Sequence, residues 1–502
     1  MRILFVTSEL AGYIKAGGLA DVSTALPSAL NERGEDVRLL IPGFPAITST
    51  MELTPVATLP GLAQIPECSI ARGVTPEGTI AYVIVCDPLY ARAGSPYTNS
   101  LGTEWSDNDV RFARLALAAA QIAEGIAGFD WTPDLLHIHD WHGALAPGYL
   151  AWRQRATVPT ITTIHNLAHQ GLYGRDRLGA LGIPDRAFRI DGPEFYGQLS
   201  FLKTGIYYAD EVTTVSPTYA TEITTEALGC GLHGLLAGIA QEGRLTGIVN
   251  GVDDSWDPKT DPYLVRRFDI SSRGGKRRNA DVLREQLGLT SKPGPLFSLI
   301  ARMVYQKGVD LAIGACETIV KAGGQLVVMG TGEAALERGV GLLAKKYPGS
   351  VSVTFGYEEP VAHRVFAASD FFLMPSRYEP CGLTQMYAQR FGALPVARET
   401  GGLRDTIDDG ITGFMFPDIS VGSLVGAIKR AILMFNFRPG MNNMQRAAMS
   451  RDFSWTSSAL EYERVYERVY QRARTQTATP ATATRRRQAP PLPQIPEPIR
   501  PR

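Results

Sequence analysis

The feature that most constrains the fold is an alternation of short apolar strands with helices, which runs through the chain twice. The first series opens with a predicted strand over residues 3–7 and a helix over residues 19–31. A polar segment follows Asn250-Gly251, and the alternation restarts with a strand over residues 296–300. Strands that alternate with helices favour parallel sheets with helices on both faces. The sequence therefore predicts an α/β protein with two doubly wound halves. These halves are residues 1–249 and 250–452.

The loop after the first strand of each half is suited to bind an anion. In the first half, Lys15, Gly17 and Gly18 open a helix directly after the strand. In the second half, Arg302 and Lys307 stand at the corresponding helix entrance. Amides at a helix N-terminus, together with a basic side chain, form a cradle of phosphate size. The spacing is not Gly-x-Gly-x-x-Gly, so the dinucleotide-binding fingerprint is absent.

A third anion-binding loop, residues 375–384, lies between an apolar strand and a helix. Backbone amides at the start of that helix have no partner within it and can hold an anion. These amides belong to Gly382, Leu383 and Thr384. Pro380 biases Glu379 away from the α region, so we expect its carboxylate to stand in the loop. The combination predicts chemistry on a phosphorylated, hydroxyl-rich substrate; the alternative is an ordinary loop with an exposed glutamate.

Composition excludes several other classes of protein. The chain has 502 residues, enough for two or three domains, and 44% are hydrophobic and 20% charged, as in globular enzymes. The 50 basic residues balance the 50 acidic ones, so no net field recruits nucleic acid or an anionic membrane. Five scattered cysteines without metal spacing indicate a reducing compartment. No apolar run reaches membrane-spanning length and no leader precedes the first strand, so we expect a cytoplasmic location.

Two stretches contain metal-ligand residue types. Residues 107–109 read Asp-Asn-Asp, which matches the Asp-x-Asp motif of some nucleotide-sugar enzymes, but such residues at a helix start are more often caps. His137 and His139 share one face of a predicted strand and His142 follows it, as a metallohydrolase site could require. Trp141 interrupts the usual metal-binding spacing, which favours histidines satisfied within the fold or in contact with substrate hydroxyls. We therefore expect no metal.

The end of the chain divides into a helix and a tail. Residues 453–474 are rich in Tyr, Glu and Arg and predict a closing helix. Residues 475–502 consist mainly of Thr, Ala, Pro and Arg and lack the apolar residues that would order them. The tail is interpreted as a disordered, solvated terminus, with a proline-rich or basic interaction segment as the alternative.

Five motifs, in order along the chain, resemble bacterial glycogen synthase and plant starch synthase. They are Lys15-Ala-Gly-Gly-Leu-Ala-Asp21, His137-Ile-His-Asp-Trp-His142, His165-Asn-Leu-Ala168, Asn250-Gly-Val-Asp253 and Arg377-Tyr-Glu-Pro-Cys-Gly-Leu-Thr384. This resemblance extends from the first residue to about residue 474. It implies a glucosyltransferase of glycosyltransferase family 5 that uses ADP-glucose. It also implies the GT-B fold, in which two Rossmann-like domains face each other across a cleft and the last helix returns to the first domain.

The resemblance also implies roles for individual residues. Lys15, with the turn at Gly17 and Gly18, would meet the ADP diphosphate. Arg302 and Lys307 would neutralise the diphosphate from the opposite domain, together with the three amides of the third loop. The remaining implied substrate contacts are His165, Asn166, Asn250, Glu379, Cys381 and Tyr387, with Asp21, Tyr97 and Asp140 around the donor and acceptor space. The implied catalytic set is Glu379, His165, Lys15, Arg302 and Lys307.

The implied reaction is retaining transfer of glucose from ADP-glucose to the non-reducing 4-hydroxyl of an α-1,4-glucan, with release of ADP and no cofactor. For enzymes of this kind the usual proposal is attack on the same face, in which a leaving phosphate oxygen takes the acceptor proton. Glu379 would orient the sugar and stabilise positive charge. The alternatives are the same fold with UDP-glucose or a small acceptor, a silent glucan-binding protein, and a metal-dependent hydrolase. Neither nucleic acid nor a membrane is an expected partner, and the oligomeric state is not predicted.

Three positions depart from what the resemblance leads us to expect. Ala16 replaces a common Thr in the first loop, a change we expect to be tolerated. Ala280 stands where a donor-binding Lys is expected, so that contact is in doubt. Tyr387 replaces the Glu that many related transferases place on the nucleotide ribose. Tyr is usual in glycogen synthases, so this last departure supports the narrower assignment.

Overall fold

The computed structural model describes residues 1–126, 129–154, 158–272, 274–291 and 294–478. Within these residues, twelve strands precede residue 250. They are β1 (Arg2–Val6), β2 (Asp36–Pro42), β3 (Thr54–Leu59), β4 (Cys68–Val74), β5 (Ile80–Val85), β6 (Leu135–His139), β7 (Thr160–Ile164), β8 (Leu172–Gly174), β9 (Glu194–Phe195), β10 (Gln198–Ser200), β11 (Glu211–Thr214) and β12 (Leu245–Gly247). Nine of them form one sheet in the order β12-β11-β7-β6-β1-β2-β5-β4-β3, and β8, β10 and β9 form a small antiparallel sheet.

Six described strands form the second sheet, and all of their pairings are parallel. They are β13 (Leu296–Ile300), β14 (Gln325–Gly330), β15 (Val351–Phe355), β16 (Phe371–Met374), β17 (Leu394–Arg398) and β18 (Phe414–Phe416). Their order is β15-β14-β13-β16-β17-β18, so β13 and β16 lie side by side at the centre. Because the strands are parallel, the loops that follow β13 and β16 emerge at the same edge. That edge brings together the loops of Arg302 and Glu379.

Helices cover both faces of the two sheets. Before residue 250 they are α1 (Leu19–Glu32), α2 (Pro45–Thr48), α3 (Asp87–Tyr90), α4 (Asn108–Ala123), α5 (Asp140–Gly143), α6 (Ala146–Arg153), α7 (Phe201–Tyr208), α8 (Pro217–Glu222) and α9 (His233–Gln241). After it they are α10 (Gly274–Gln286), α11 (Val309–Lys321), α12 (Ala334–Lys346), α13 (Glu359–Ala368), α14 (Thr384–Arg390), α15 (Gly401–Thr406), α16 (Val421–Asn436), α17 (Arg438–Met449) and α18 (Trp455–Ala478). No helix in the described ranges is long and apolar enough to cross a membrane.

The doubly wound architecture is confirmed, with one addition that the strand pattern did not predict. β3 and β4 extend the first sheet as an antiparallel edge pair beside β5. Most side chains of β3 are exposed or half-buried, because only one side of an edge strand packs against the protein. A continuous apolar run marks a central parallel strand, and such an edge strand does not have one.

The closing helix α18 is confirmed as an element that returns to the first half. Tyr466 on this helix bonds His137 of β6, and Arg33 of the first half pairs with Glu463. The helix continues through Ala478, so the predicted start of the tail at residue 475 was wrong by four residues. Residues 479–502 lie outside the described residues, and the prediction of a disordered tail stays a prediction there. The predicted domain boundary near residue 250 also stays a prediction.

The two halves are joined by polar contacts between α8 and α15. Thr218 donates its backbone N–H and its hydroxyl to Asp405 at 2.9 and 2.6 Å. Glu222 accepts from the Thr400 hydroxyl at 2.9 Å and from the Gly401 amide at 3.0 Å. Because α8 follows β11 and α15 follows β17, these bonds bring the carboxyl ends of strands from the two sheets close together.

Candidate active site

The Glu379 carboxylate is buried and paired in the loop between β16 and α14. Its side chain accepts from Lys307 Nζ at 2.7 and 2.9 Å and from the Ser376 hydroxyl at 2.9 Å. The residue is only 4% exposed. A charge-assisted pair with an added hydrogen bond is the arrangement that makes a buried carboxylate tolerable. The alternative of an ordinary loop with an exposed glutamate is therefore wrong.

Two glycines allow the backbones around this carboxylate to approach each other. Gly308 has φ +64, and a Cβ there would lie 2.0 Å from the carbonyl oxygen of Pro375. Gly401 has φ +44, and a Cβ there would lie 1.9 Å from the carbonyl oxygen of Glu379. Any larger residue at either position would push the Glu379 loop away from its neighbours. The close approach brings Lys307 within reach of Glu379.

Arg302 differs from Lys307 in having no counter-ion. Its side chain is exposed and makes no hydrogen bond or ion pair with any residue in the described part of the chain. Burial lowers the pKa of His169 in the first half, and the Arg302 charge lowers it further, so Arg302 lies within electrostatic range of the first half. The two basic residues predicted to act together thus have different surroundings. Lys307 holds the Glu379 carboxylate, and Arg302 is open to a ligand in the cleft.

Lys15 lies on the opposite side of the cleft and is paired with Asp21. Its Nζ is 2.7 Å from the Asp21 carboxylate, and its side chain remains largely exposed. Burial raises the pKa of Asp21, and the Lys15 charge opposes that rise. The two halves approach closely here, because a Cβ built on Gly18 would lie 3.8 Å from the Leu383 side chain. The predicted cradles of the first and third loops therefore face each other.

Glu9 is a residue of the cleft that the sequence patterns did not single out. Its carboxylate accepts from the amides of Ala16 and Gly17 at 2.7 and 2.9 Å. Its other oxygen accepts from the Tyr97 hydroxyl at 2.5 Å. Burial and the Glu9 carboxylate raise the pKa of Tyr97 well above its ordinary value. The Gly17 amide, predicted to meet the diphosphate, is occupied by Glu9. Tyr97 is 88 residues from Glu9, and no local motif connects them.

The two histidines of β6 and the one that follows it have different surroundings. His137 bonds Tyr466 and Thr163 at 2.9 and 2.6 Å, so it is satisfied within the fold. His139 Nδ1 lies 2.9 Å from His165 Nε2, and His142 stacks on Tyr97. Burial lowers the pKa of His137 and of His165 to about 3, which keeps both imidazoles neutral near pH 7. No group of three or more His, Cys, Asp or Glu in the described ranges is arranged to hold a metal ion.

Asp140 connects the end of β6 to the loop that carries two predicted substrate contacts. Its carboxylate accepts from the amides of His165 and Asn166 at 2.7 and 3.4 Å. Its backbone has φ +54, in the left-handed region that few residues other than glycine adopt. Burial raises the pKa of Asp140 to about 7. Strained backbone and a shifted carboxyl together are typical of functional sites.

Asn250 and Cys381 meet at the crossing between the halves. Burial raises the pKa of the Cys381 thiol to about 12, and a hydrogen bond from the Asn250 backbone opposes that rise. The Oδ1 atom of Asn250 is buried and has no partner among the described residues. An unpaired buried acceptor is unfavourable, and a sugar hydroxyl could satisfy it.

Tyr387 is buried and stacked, not open to the cleft. Its ring packs on Trp256 with centroids 4.1 Å apart, and Trp256 stacks in turn on His363 at 3.7 Å. Ala280 lies buried in the adjoining core, so a lysine there would need a new environment. Tyr357 at the end of β15 is 59% exposed, and its ring is an aromatic surface that sequence patterns missed. The turn motif Gly356-Tyr357 was the only local signal for it.

The Asp107-Asn-Asp109 stretch has a structural role that differs from the expected one. Asp107 is bonded to Arg92 by two contacts of 2.8 and 2.7 Å. Asp109 pairs with Arg177 at 2.5 Å. Asp107 occupies the N-cap position of α4 as predicted, but its side chain makes no capping hydrogen bond. The two carboxylates instead tie α4 to neighbouring loops.

Comparison with known protein families gives one match in each half of the chain. The family model "Starch synthase catalytic domain" matches residues 2–238, and "Glycosyl transferases group 1" matches residues 281–447. Glycogen synthase of Pseudomonas fluorescens Pf-5 is 50% identical over 95% of this chain and 91% of its own. Glycogen synthase 1 of Bradyrhizobium diazoefficiens is 48% identical over 90% of this chain and 98% of its own.

Solved structures extend the comparison to the fold. The catalytic domain of starch synthase IV from Arabidopsis thaliana, bound to ADP and acarbose, superposes with a TM-score of 0.83 at 31% identity, covering 94% of this chain and 99% of that one. Sucrose-phosphate synthase from Thermosynechococcus elongatus shares the fold with a TM-score of 0.57 at 17% identity, covering 94% and 99%. The resemblance inferred from the five motifs is thereby confirmed: this chain is a GT-B hexosyltransferase that belongs to the glycogen synthase family.

Proposed function

We propose that the chain transfers glucose from ADP-glucose to the non-reducing 4-hydroxyl of an α-1,4-glucan, with retention, and releases ADP. The observation that carries the proposal is the buried Glu379–Lys307 pair beside the unpaired Arg302. The related starch synthase IV that was solved with ADP and acarbose supports the choice of donor nucleotide and acceptor class.

The leaving diphosphate gains negative charge as the glycosidic bond breaks. Arg302 is free to approach that charge from the second half, and Lys15 from the first half. Positioned cations in a water-poor cleft stabilise developing charge strongly, because they need no reorganisation during the reaction. The amides at the start of α14 add partial positive charge at the same edge.

The sugar that loses the diphosphate gains positive charge at its anomeric carbon. In this proposal Glu379 stabilises that charge, and Lys307 holds the carboxylate in place by bonding both of its oxygens. His165 is neutral and hydrogen-bonds a glucose hydroxyl without adding a competing charge. A leaving phosphate oxygen accepts the proton of the acceptor hydroxyl on the same face, which conserves the anomeric configuration.

Protein cations and amides supply the charge stabilisation in this scheme, so we propose that no metal is needed. The test is to incubate the purified full chain with ADP-glucose or UDP-glucose and glycogen, with and without EDTA, and to measure the released nucleoside diphosphate. The expected result is ADP release that depends on glycogen and survives chelation. Faster release of UDP, or loss of turnover that Mg²⁺ or Mn²⁺ restores, would contradict the proposal. Glu379→Gln serves as the inactive control.

A further inference from the structure

Tyr196 stands at the tip of the β9–β10 hairpin in a conformation that bulky residues rarely adopt. Its backbone has φ +48, in the left-handed region. Its side chain is 80% exposed, so burial of the ring does not compensate for the unfavourable backbone. Gly197 has φ +83, so the two residues form a hairpin turn that requires positive φ at both positions, and Tyr196 stands where Asn, Asp or Gly is preferred.

Neighbouring residues hold the hairpin tip in place. The Gly197 amide donates to the Glu194 carboxylate at 2.7 Å. The buried Lys203 donates its ammonium group to the carbonyls of Ile190, at 2.7 Å, and of Glu194. The Phe195 ring meets the Tyr196 ring edge-on, with centroids 4.8 Å apart. These contacts hold the backbone of the hairpin turn that carries the exposed ring.

Contacts connect this ring to the segment that carries His165. Gly231 lies against both rings. A Cβ built on Gly231 would be 3.2 Å from the Tyr196 ring and 2.9 Å from the Phe195 ring. The adjacent residue Cys230 accepts from Gln170, which follows His165 by five positions. Cys230 is also within electrostatic range of Tyr378 in the second half. Burial raises the pKa of Tyr378, and the Cys230 thiol and the Glu379 carboxylate raise it further. The ring thus packs on a segment that is hydrogen-bonded to Gln170, close to the His165 loop.

A second feature, on the segment bonded to Cys230, is an unsatisfied polar atom. Gln170 is buried, and its Oε1 atom has no hydrogen-bond partner within the described ranges, although its Nε2 atom bonds Cys230. A buried acceptor without a donor is unfavourable in the absence of a ligand. A ligand hydroxyl that reaches it would supply the missing donor.

We propose that Tyr196 forms an outer subsite for the acceptor glucan, in which the apolar face of a glucose unit beyond the reacting one stacks on the exposed ring. A hydroxyl of a nearby unit would donate to Gln170. An aromatic side chain offers a rigid, flat and partly polar surface that suits a sugar ring. Lys203 is bonded to two backbone carbonyls, so its ammonium group is not available to a phosphate. The subsite rests on the proposed function, since it requires a glucan acceptor.

Two substitutions separate the ring from its backbone. Tyr196→Asn removes the ring and keeps a residue type that tolerates the left-handed region. Tyr196→Trp keeps an aromatic surface. Phe437→Ala is the matched control, because Phe437 is also an exposed aromatic residue. It lies between α16 and α17, next to Arg438. Arg438 and Pro295 line a surface cavity at the amino end of β13, on the other side of the second sheet from the Glu379 loop.

The experiment measures steady-state kinetics with maltotriose and with maltoheptaose, and calorimetric binding of maltoheptaose without donor. For Tyr196→Asn we expect KM for maltoheptaose to rise about threefold to tenfold. We expect KM for maltotriose, KM for the donor and kcat to stay near wild type, and the binding constant to weaken by the same factor as KM. Tyr196→Trp and Phe437→Ala should leave all of these near wild type.

The outcomes separate this proposal from the proposed function. If the wild-type chain does not elongate glucan, the proposed function fails, and the calorimetric comparison still decides whether Tyr196 binds the oligosaccharide. If the wild type is active and Tyr196→Asn binds and uses maltoheptaose normally, the subsite is overturned. Equal losses with both acceptors, or a change in the donor KM, would show that the residue shapes the reacting site and would also overturn the outer subsite.

Discussion

A lysine and a glutamate 72 residues apart form the central contact of the candidate site. Lys307 was expected to bind the diphosphate directly, and in this structure its ammonium group is bonded to both oxygens of Glu379. The pair neutralises itself inside the cleft, so the net positive charge offered to a ligand there comes from Arg302. At the residue scale, the roles of the two cations are therefore distinct and separately testable.

Replacing Glu379 by Gln should reduce kcat by about a hundredfold to a thousandfold, the usual effect of losing one positioned stabilising group. The change removes the charge and preserves the size of the side chain and most of its hydrogen-bonding reach. Glucan elongation measures the effect, and thermal unfolding checks that the fold is intact. Glu317→Gln is the control, since that exposed carboxylate pairs only with Lys321 on α11. Near-normal turnover of Glu379→Gln would reduce Glu379 to a structural residue.

Arg302→Ala and Lys307→Ala should both lower kcat, but through different groups. Arg302 would lose contact with the departing diphosphate, whereas loss of Lys307 leaves the Glu379 carboxylate buried without its counter-ion. We expect a combined loss smaller than the product of the two single losses, because both residues serve one charge separation. Steady-state kinetics of the three variants measure this, with surface Lys321→Ala as the control. An unchanged kcat with a raised donor KM in both single variants would restrict the pair to ground-state binding.

Asp140 should make stability depend on pH. Its folded-state pKa is about 7, above the ordinary 3.8, so the folded protein favours the neutral acid. The stability that the neutral Asp140 carboxyl gives the folded state is fully present below pH 3.8. It is lost as the pH rises to about 7, which lowers the free energy of unfolding by a few kcal/mol. Asp140→Asn mimics the neutral acid, so the stability advantage of the variant should grow between pH 4 and 7 and then level off. Thermal unfolding across that range is the measurement, and parallel profiles would refute the assignment.

Helix α18 is attached to the first half through a buried carboxylate. Glu211 has a fully buried side chain, and it pairs with Arg468 at 2.5 Å and Arg472 at 2.9 Å. Both arginines are partly exposed, so solvent screens some of the attraction. At the element scale, this cluster explains why a helix that follows the second half in sequence packs on the first.

Replacing both arginines by Ala should lower the free energy of unfolding by about 2–4 kcal/mol, because a buried charge is left without a partner. Adding Glu211→Gln should restore part of the loss, since the charge itself is then removed. Denaturant unfolding measures both effects. Arg464→Ala, which removes an exposed pair with Glu461, should change stability little. A triple variant as unstable as the double one would show that the loss comes from packing.

The whole molecule presents its cleft between two halves that neither half completes alone. Lys15, Tyr97 and His165 belong to the first half, and Arg302 and Glu379 to the second. The polar bridge between α8 and α15 joins the halves near one end of this cleft. Such an arrangement predicts closure around a ligand, since only both sides together exclude water.

Saturating ADP should therefore reduce the radius of gyration measured by small-angle scattering. Thr218→Val and Thr400→Val together remove bridge donors at nearly constant volume, so this double variant should be more extended without ADP and should bind ADP more weakly. Thr224→Val, a change within the first half that spares the bridge, is the control. An unchanged scattering profile on addition of ADP to the wild type would argue against closure.

The sequence by itself determined the fold class and the family. The apolar strand runs and the helix starts are local patterns of backbone and side-chain preference, so they could be predicted without partners. The loops of Lys15, Arg302 and Glu379 could be placed at strand ends for the same reason. The left-handed conformation of Gly308 and Gly401 was not predicted, although glycine permits it.

Only the tertiary structure decided which charged and polar groups pair. Lys307 with Glu379, Glu9 with Tyr97, and Glu211 with the arginines of α18 are contacts between distant segments, and no local preference selects among many possible partners. The same holds for the hairpin turn that carries Tyr196. Lys203 of α7 bonds its backbone, and Gly231 packs against its ring. Burial and charge pairing depend on the whole surrounding fold, and a pattern along the chain does not contain that information.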